Sequence, residues 1–448
     1  MPTSVSCPKA LLRVLHVGNI ANNAYVNAKL LRRAGVEADA LCDEWRIFCQ
    51  PEWEDAELEG VFDADERLRP GAADGWRKPD WALRPSAPGP DSRRARWASE
   101  QLRLLKDLPR LARRRRELSS DYAPLRPTLG SDLGVLDLVR VSMWKQGLER
   151  QVGSLSALFG GYDVVQLNGA YPAFIPLGLP RIPYVAFEHG TMRELPFEDT
   201  SRGRLLALGY RQSAKVIITN PDVVAQARRL GVENYVFVPH PLDEEKYRPG
   251  PSKLRAELEA EGVDFVLLCP SRHDWDIKGS DRMLRAFAEF LRADRPRALL
   301  ILNEWGTELG RSRALIEELG IGRNVRWLRP LPKLRLIDAY RAADVVLDQF
   351  LIGTFGAVAP EAMACGTPVV MAFDSEIHRW CFSELPPVVD ARTPEQIYSA
   401  LRRLAEDDGE RARLAQLGRE WIERHHGWRL VADRHIKIYD EVLEGTRP

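Results

Sequence analysis

Short apolar segments alternate with helical patterns in two successive rounds along the chain, and this alternation limits the possible fold more than any other feature. An apolar segment that ends in a turn and is followed by an amphipathic helix is typical of a buried strand in a parallel sheet. The predicted strands are 11–18, 36–41, 162–168, 182–189, 215–219 and 235–239, then 264–269, 297–302, 325–328, 344–347 and 368–373. The sequence therefore predicts an α/β fold of two doubly wound domains, with ligand sites at the carboxyl ends of the strands.

The two rounds divide the 448 residues into domains. We predict an N-terminal domain over 1–248, a C-terminal domain over 249–424 and a last helical segment over 425–448. About residues 52–150 interrupt the first round as an insertion rich in Trp, Pro and Arg. Because insertions of this kind tend to carry specificity, we expect it to influence which ligand the protein recognises.

The basic stretch of this insertion, residues 92–118, has ten basic residues against three acidic ones, a net charge of +7. One interpretation is a solvated helix end, because cations are favourable in a last helical turn. The other is contact with an anionic membrane or a phosphate-bearing acceptor, since apolar residues lie beside the charges of 113–116. Those residues are Trp97, Leu104, Leu105, Leu108 and Leu111. Pro109 interrupts this apolar stripe, which favours the solvated helix end.

Composition excludes several classes of function. Lysine plus arginine number 64 and aspartate plus glutamate also number 64, so no net charge favours nucleic acid as a partner. The six cysteines show no Cys-x-x-Cys spacing, which argues against a zinc site or a disulfide framework and fits a reducing cytosol. No apolar stretch reaches the roughly 18 residues of a transmembrane helix, and the N-terminus does not resemble a signal peptide. These features predict a cytoplasmic protein.

A glycine turn, a helix and a strand follow one another between residues 355 and 373. Phe355, Gly356, Ala357 and Val358 open the helix, and Glu361 lies one turn further on. The first turn of a helix presents unpaired N–H groups and the positive end of the helix dipole, which suit a diphosphate. Glu361 can accept hydrogen bonds from hydroxyl groups such as those of a ribose. The pattern alone is equally compatible with an ordinary strand-loop-helix-strand unit.

The loop that follows the predicted strand 264–269 carries two cations, Arg272 and Lys278. Two cations on a loop at the carboxyl end of a strand can converge on one phosphate group, although a surface ion pair is the simpler interpretation. The same loop contains Asp274 and Asp276, a spacing that can bind a divalent metal. We expect no metal here, because the two cations already supply the positive charge.

Three segments together resemble glycosyltransferase family 4. They are 361–370 (Glu-Ala-Met-Ala-Cys-Gly-Thr-Pro-Val-Val), the loop with Arg272, Lys278 and Gly279, and 237–249 (Phe-Val-Pro-His-Pro-Leu-Asp-Glu-Glu-Lys-Tyr-Arg-Pro). The resemblance covers 11–47 and 161–443 but not the insertion. It implies the GT-B fold, in which two Rossmann-like domains face each other across a cleft and the final helices cross back onto the first domain.

The resemblance also implies an activity. Members of this family are retaining enzymes that use nucleotide-diphosphate sugars, which implies a hexosyltransferase acting on a glycan or lipid-linked acceptor. Envelope polysaccharide or glycoconjugate synthesis is the expected setting, in the cytoplasm or at the inner face of the membrane. No cofactor and no metal are expected.

Site residues follow from the same resemblance. Arg272 and Lys278 match the diphosphate-binding pair, and Glu361 matches the glutamate that binds the ribose. Gly18, with Asn19 beside it, matches the first glycine loop at the donor, and His189 matches a histidine that approaches the donor sugar. The catalytic candidates are therefore His189, Arg272 and Lys278. The donor-binding candidates add Gly18, Asn19, Gln349, Phe355, Gly356, Ala357, Val358 and Glu361.

One position departs from the family. The first glutamate of the Glu-x7-Glu element would fall at residue 353, where this chain has glycine. That carboxylate contacts hydroxyls of the transferred sugar elsewhere in the family, so its loss leaves open both the sugar and the activity. We expect activity, with Gln349 or Asp348 taking over part of the contact.

Other classes of protein stay open at this stage. A nicotinamide or flavin enzyme would need a Gly-x-Gly-x-x-Gly turn after the first strand, and residues 18–23 (Gly-Asn-Ile-Ala-Asn-Asn) lack it. A sugar-nucleotide epimerase of the same fold is the enzymatic alternative. A catalytically inactive binding homologue is the other, because of Gly353.

Overall fold

A computed structural model describes residues 11–44, 46–58, 75–85, 106–293 and 297–445. Most of the basic stretch, residues 92–105, lies outside these ranges, together with the candidate membrane-contacting residues Trp97, Leu104 and Leu105. Within the described residues the strands form two parallel sheets, one for each round of the sequence pattern.

The first sheet has seven parallel strands in the order β3-β2-β1-β4-β5-β6-β7. The strands are β1 Arg13–Val17, β2 Glu37–Leu41, β3 Ala82–Leu83, β4 Val164–Asn168, β5 Tyr184–Glu188, β6 Lys215–Ile218 and β7 Tyr235–Phe237.

The second sheet has six parallel strands in the order β10-β9-β8-β11-β12-β13. The strands are β8 Phe265–Cys269, β9 Ala298–Asn303, β10 Val325–Leu328, β11 Val345–Leu347, β12 Val369–Met371 and β13 Val389–Asp390. The prediction of two doubly wound parallel domains is confirmed. The two strands without a sequence signal, β3 and β13, have two residues each, which is too short to show a pattern.

Helices connect the strands and cover both faces of each sheet. Those of the first round are α1 Asn23–Arg33, α2 Pro51–Asp55, α3 106–117, α4 Ser119–Tyr122, α5 Arg126–Leu129, α6 Val135–Val152, α7 Leu155–Phe159, α8 Ser201–Gln212 and α9 Val224–Arg229. Those after it are α10 Lys253–Ala260, α11 Trp275–Lys278, α12 Ser280–Ala293, α13 Leu309–Leu319, α14 Lys333–Ala342, α15 Val358–Ala364, α16 Ser375–His378, α17 Pro394–Glu406, α18 Asp408–His425 and α19 Trp428–Glu444.

Short 3-10 turns lie between these elements: Ile20–Asn22, Ile47–Cys49, Ala123–Leu125, Tyr171–Leu177, Thr191–Arg193, Leu195–Phe197, Pro221–Val223 and Gly322–Asn324. Among the described residues, none of the helices combines the length and the apolar character needed to cross a membrane.

The first sheet is buried on both faces, which explains its nearly continuous apolar strands. In β1, Leu15 and Val17 belong to one core cluster, and Val14 belongs to the cluster on the other face. The last helix, α19, contributes Tyr439 to that second cluster, where its hydroxyl donates a hydrogen bond of 2.7 Å to Gln166 of β4. The end of the chain therefore completes the core of the first domain.

Helix α3, the described part of the basic stretch, packs against the first domain. Leu111 is fully buried in the core of that domain, so it is not available to a membrane. Pro109 lies inside the described part of the helix, which continues to residue 117. Leu104 and Leu105 lie outside the described residues, so the interruption of the apolar stripe at Pro109 stays a prediction.

The four consecutive arginines of α3, residues 113–116, have two different environments. The guanidinium groups of Arg114 and Arg115 donate to backbone carbonyls of Pro176 and Leu133, at 2.8 and 2.9 Å. Arg113 and Arg116 are exposed. The solvated helix end therefore describes one pair, while the other pair anchors the helix.

Candidate functional site

The carboxyl ends of both sheets face a shared cavity of about 930 Å³. The first domain lines it with the ends of β5 and β7 and the turns after β1 and β2, and the second with the loops after β8, β9, β10 and β11. This is the edge at which doubly wound sheets bind their ligands. The volume is in the range of small-molecule sites.

Nine of the eleven predicted site residues line this cavity. They are His189, Arg272, Lys278, Gln349, Phe355, Gly356, Ala357, Val358 and Glu361. They lie up to 172 residues apart in sequence, from 189 to 361, and the two sheets bring them together.

The remaining two, Gly18 and Asn19, do not line the cavity. Their surroundings indicate a structural role. Asn19 is fully buried, and its amide group donates to the carbonyl of Cys49 at 2.7 Å and accepts from the N–H of Tyr25 at 2.9 Å. Gly18 has φ +89, and a Cβ there would lie 2.5 Å from the ring of Tyr171. The next residue, Ile20, does line the cavity.

The two cations of the second domain sit at the centre of its sheet. Lys278, at the end of α11, donates to the side chain of Gln349 at 3.0 Å, which joins the loop after β8 to the loop after β11. Arg272 pairs with Asp274 at 3.2 Å, and its side chain is 46% exposed. A half-exposed guanidinium can exchange this pairing for a phosphate group.

Asp274 has a structural use in this loop. Its carboxylate accepts from the N–H of Ile277 at 3.1 Å as the N-cap of α11, in addition to pairing with Arg272. Among the described residues, no group of three or more His, Cys, Asp or Glu side chains could hold a metal. The absence of a metal from the reaction stays a prediction.

Glu361 is held from two sides. Its two carboxylate oxygens accept hydrogen bonds from the ammonium group of Lys333 and, at 2.9 Å, from the hydroxyl of Tyr340, both on α14. Burial and the Glu361 charge raise the pKa of Tyr340 well above its usual range, so that hydroxyl stays a donor. The carboxylate is only 5% exposed and has a fixed orientation at the cavity wall.

Two histidines face the cavity from the first domain. Burial lowers the pKa of His189, directly after β5, to about 4. Burial and then the proximity of His189 lower the pKa of His240, after β7, to about 3. Both rings are therefore neutral near pH 7. Among the described residues, nothing forms a hydrogen bond with the buried Nε2 atom of His189, so a bound ligand could supply one.

Sequence reasoning missed several polar residues of the cavity, among them His240, Arg193, Arg329 and Lys333. His240 lies in the quoted segment 237–249, where its position after a predicted strand was a usable signal. Arg193, which makes a bidentate pair with Asp222 at 2.6 and 2.8 Å, and Lys333 had no local signal.

The position of the departure from the family pattern, Gly353, has a left-handed backbone with φ +74. A Cβ there would lie 3.0 Å from the Cβ of Asp374, whose N–H donates to the carbonyl of Gly353 at 2.8 Å. This loop therefore fits glycine and disfavours a glutamate. Of the two expected substitutes, Gln349 lines the cavity, whereas Asp348 is buried and accepts from Ser271 at 2.7 Å.

Two Rossmann-like domains with their ligand edges on one cavity define a GT-B glycosyltransferase fold. HepE of Anabaena, solved with UDP and glucose, superposes with a TM-score of 0.63 at 15% identity, covering 96% of this chain and all of that one. Sucrose-phosphate synthase from Thermosynechococcus elongatus superposes with a TM-score of 0.62 at 18% identity, covering 97% of this chain and all of that one.

Sequence comparisons identify the family. The model of the family described as glycosyl transferases group 1 matches residues 252–421. D-inositol 3-phosphate glycosyltransferase 1 of Catenulispora acidiphila is 31% identical over 327 residues, which is 70% of this chain and 74% of that protein. Its counterpart in Saccharomonospora viridis is 30% identical over 346 residues, 72% of this chain and 74% of that one. The chain belongs to the group 1 glycosyltransferases and is a transferase.

Proposed function

We propose that the protein transfers a hexose, with retention of configuration, from a nucleotide-diphosphate donor to a glycan or lipid-linked acceptor. The observation that carries this proposal is the convergence of Arg272, Lys278, the 355–358 turn and Glu361 on one cavity wall. Two cations and a helix start suit the diphosphate, and a fixed carboxylate suits the ribose. HepE of Anabaena, a protein of the same fold, was solved with UDP, which is consistent with such a donor.

The chemistry follows from charge. As the bond between the anomeric carbon and the diphosphate breaks, negative charge grows on the leaving phosphate. Arg272 and Lys278 therefore stabilise the transition state more strongly than the ground state, which lowers the barrier. The acceptor hydroxyl attacks from the same face, and the leaving phosphate takes its proton. Neutral His189 donates or accepts a hydrogen bond at the sugar without adding charge.

The acidic side chains that line the cavity support same-face attack over a covalent intermediate. Each of them has a cationic partner within the described structure, which favours a positioning role for these carboxylates over that of a nucleophile. The pairs are Glu54 with Lys246, Asp243 with Arg33, Glu304 with Arg313 and Glu361 with Lys333. The same pairing disfavours an epimerase, which would need carboxylates free to act as acid and base.

The proposal also covers the acceptor and the cellular setting. We place the reaction in the cytoplasm, in envelope polysaccharide or glycoconjugate synthesis, with an anionic membrane or acceptor meeting the basic stretch 92–118. The named relatives act on D-inositol 3-phosphate, so a polyol phosphate belongs among the acceptors to be tried.

The direct test is incubation of the full chain with a panel of nucleotide sugars and acceptors, followed by measurement of nucleoside diphosphate release. NMR of the product gives the anomeric configuration. We expect release that depends on acceptor, a retained configuration and no effect of EDTA. Nucleotide binding without turnover on any acceptor would favour the inactive homologue. Loss of activity in EDTA that Mg²⁺ restores would return Asp274 and Asp276 to consideration as metal ligands.

A further inference from the structure

Among the residues that the structure describes, one cation of the cavity has no partner. Five cationic side chains of the described residues line the cavity, and four of them have an ion-pair or hydrogen-bond partner: Arg193 with Asp222, Arg272 with Asp274, Lys278 with Gln349 and Lys333 with Glu361. Within the described part of the chain, the fifth, Arg329, has neither a hydrogen bond nor an ion pair, and it is exposed. Its donors are therefore free to meet a ligand.

Arg329 directly follows β10, the edge strand of the second sheet. The two phosphate cations, Arg272 and Lys278, lie after β8 at the centre of that sheet. Glu361 is held by Lys333 at the start of α14, the helix that follows β10. The order across the wall is thus phosphate cations, Glu361, Arg329. A nucleoside diphosphate has the same order of diphosphate, ribose and base.

The surroundings of Arg329 suit a flat, partly apolar group. Leu331 and Leu336 line the cavity beside it. Pro330 and Pro332 restrain the backbone of the turn that carries it, because each proline fixes its own φ. A base lying on these apolar side chains would turn its polar edge toward the guanidinium.

We propose that Arg329 selects the nucleobase of the donor, and that it favours a base with a carbonyl oxygen on its edge, uracil or guanine, over adenine. A guanidinium has N–H donors and no acceptor, so it needs acceptor atoms opposite it. The carbonyl oxygens of uracil and guanine supply them, whereas adenine has no carbonyl and places an amino donor beside its ring-nitrogen acceptors. The inference deepens the proposed function and rests on its nucleotide-diphosphate donor.

The test is calorimetric binding of UDP, GDP, ADP and ribose 5-diphosphate, which has the sugar and the diphosphate but no base. The variants are Arg329→Ala, Arg272→Ala and, as a matched control, Arg323→Ala, an exposed arginine that does not line the cavity. We expect wild type to prefer UDP or GDP to ADP. Arg329→Ala should weaken the preferred nucleotide by roughly 5- to 100-fold, the range for one well-placed arginine contact to a base.

The other measurements distinguish base selection by Arg329 from the proposed nucleotide-diphosphate donor. Arg329→Ala should leave ribose 5-diphosphate within about twofold of wild type, whereas Arg272→Ala should weaken all four ligands. Arg323→Ala should bind like wild type. Equal losses for ribose 5-diphosphate and the nucleotide, unchanged nucleotide binding, or a wild-type preference for ADP would each overturn base selection while leaving the proposed donor intact. A wild type that binds no nucleoside diphosphate would overturn both.

Discussion

At the scale of single residues, the cavity combines groups that are free to change partners with groups that are fixed. Arg272 is half-exposed and held by one aspartate, so a ligand phosphate can take its place. Glu361 is held by two donors and keeps one orientation. Gly353 belongs to the fixed set, because its backbone and its neighbour Asp374 exclude a side chain.

Removing either phosphate cation should reduce catalysis strongly. We expect Arg272→Ala and Lys278→Ala each to lower kcat/KM. The loss corresponds to about 2 to 4 kcal/mol of transition-state stabilisation, the cost of losing one preorganised charge contact. Steady-state kinetics with the best donor measures this. Arg326→Ala is the control, because that arginine pairs with Glu261 outside the cavity. Wild-type turnover in both cavity variants would reject the assignment.

Substituting Gly353 should lower the free energy of unfolding by more than its left-handed backbone conformation alone explains. Gly35 has a similar left-handed φ, +90, with nothing within 4 Å of an added Cβ. We therefore expect Gly35→Ala to lower the free energy of unfolding by about 1 kcal/mol, and Gly353→Ala to lower it by roughly 1 kcal/mol more because Asp374 must move. Urea unfolding of both variants measures the difference, and equal losses would show that the loop yields without cost.

At the scale of elements, helix α3 joins an anchored row of side chains to an exposed one. Leu111, Arg114 and Arg115 hold it to the first domain. Arg113 and Arg116 are left to solvent or to an anionic partner. The single basic run of the sequence therefore separates into two pairs that can be tested against each other.

Neutralising the two pairs should have different effects. Arg113→Gln with Arg116→Gln should weaken binding to anionic liposomes at low salt, with a difference from wild type that shrinks as salt rises, because exposed charges are screened within ~10 Å at 0.1 M. Arg114→Gln with Arg115→Gln should mainly lower thermal stability, since two backbone carbonyls lose their donors. Liposome cosedimentation and thermal melts give the two readouts. Unchanged liposome binding in the exposed pair would leave α3 as a solvated helix.

At the scale of the whole molecule, burial keeps many histidines neutral. Burial is the main cause of a low pKa, about 3 to 4, in six of them. These are His16, His189, His240, His273, His426 and His435. In the unfolded chain each would titrate near 6.5, so between about pH 4 and 6.5 the unfolded state binds protons that the folded state does not.

The free energy of unfolding should therefore fall as pH is lowered from 7 toward 4. Each such histidine contributes up to about 1.4 kcal/mol per pH unit below 6.5. Burial raises the pKa of Asp43 to about 6 and that of Glu188 to about 7, and that of Glu244 is also raised. Over part of this pH range these three carboxyl groups bind protons in the folded state before the unfolded state does, which stabilises the fold as pH falls. They make the decrease in the free energy of unfolding smaller without reversing it. Urea unfolding at pH 7.5, 6.0 and 5.0 measures the trend, and a flat profile would contradict it.

The strands and the main site loops could be predicted from the sequence because their signals are local. A strand buried on both faces must be apolar along its length, and β8 or β12 shows this without reference to any partner. The loops with Arg272, Lys278 and Glu361 could be predicted for the same reason, since each directly follows a recognisable strand or opens a recognisable helix.

Only the tertiary structure decided which of these residues meet. Asn19 follows a strand like the others, yet it points into the protein because Cys49 and Tyr25 satisfy its amide group. Arg193 and Lys333 line the cavity because two domains face each other, and Arg329 has no partner because no acid from another element reaches it among the described residues. Contacts between residues distant in sequence depend on the order of the strands in each sheet and on the way the two domains face each other. No local sequence pattern encodes either.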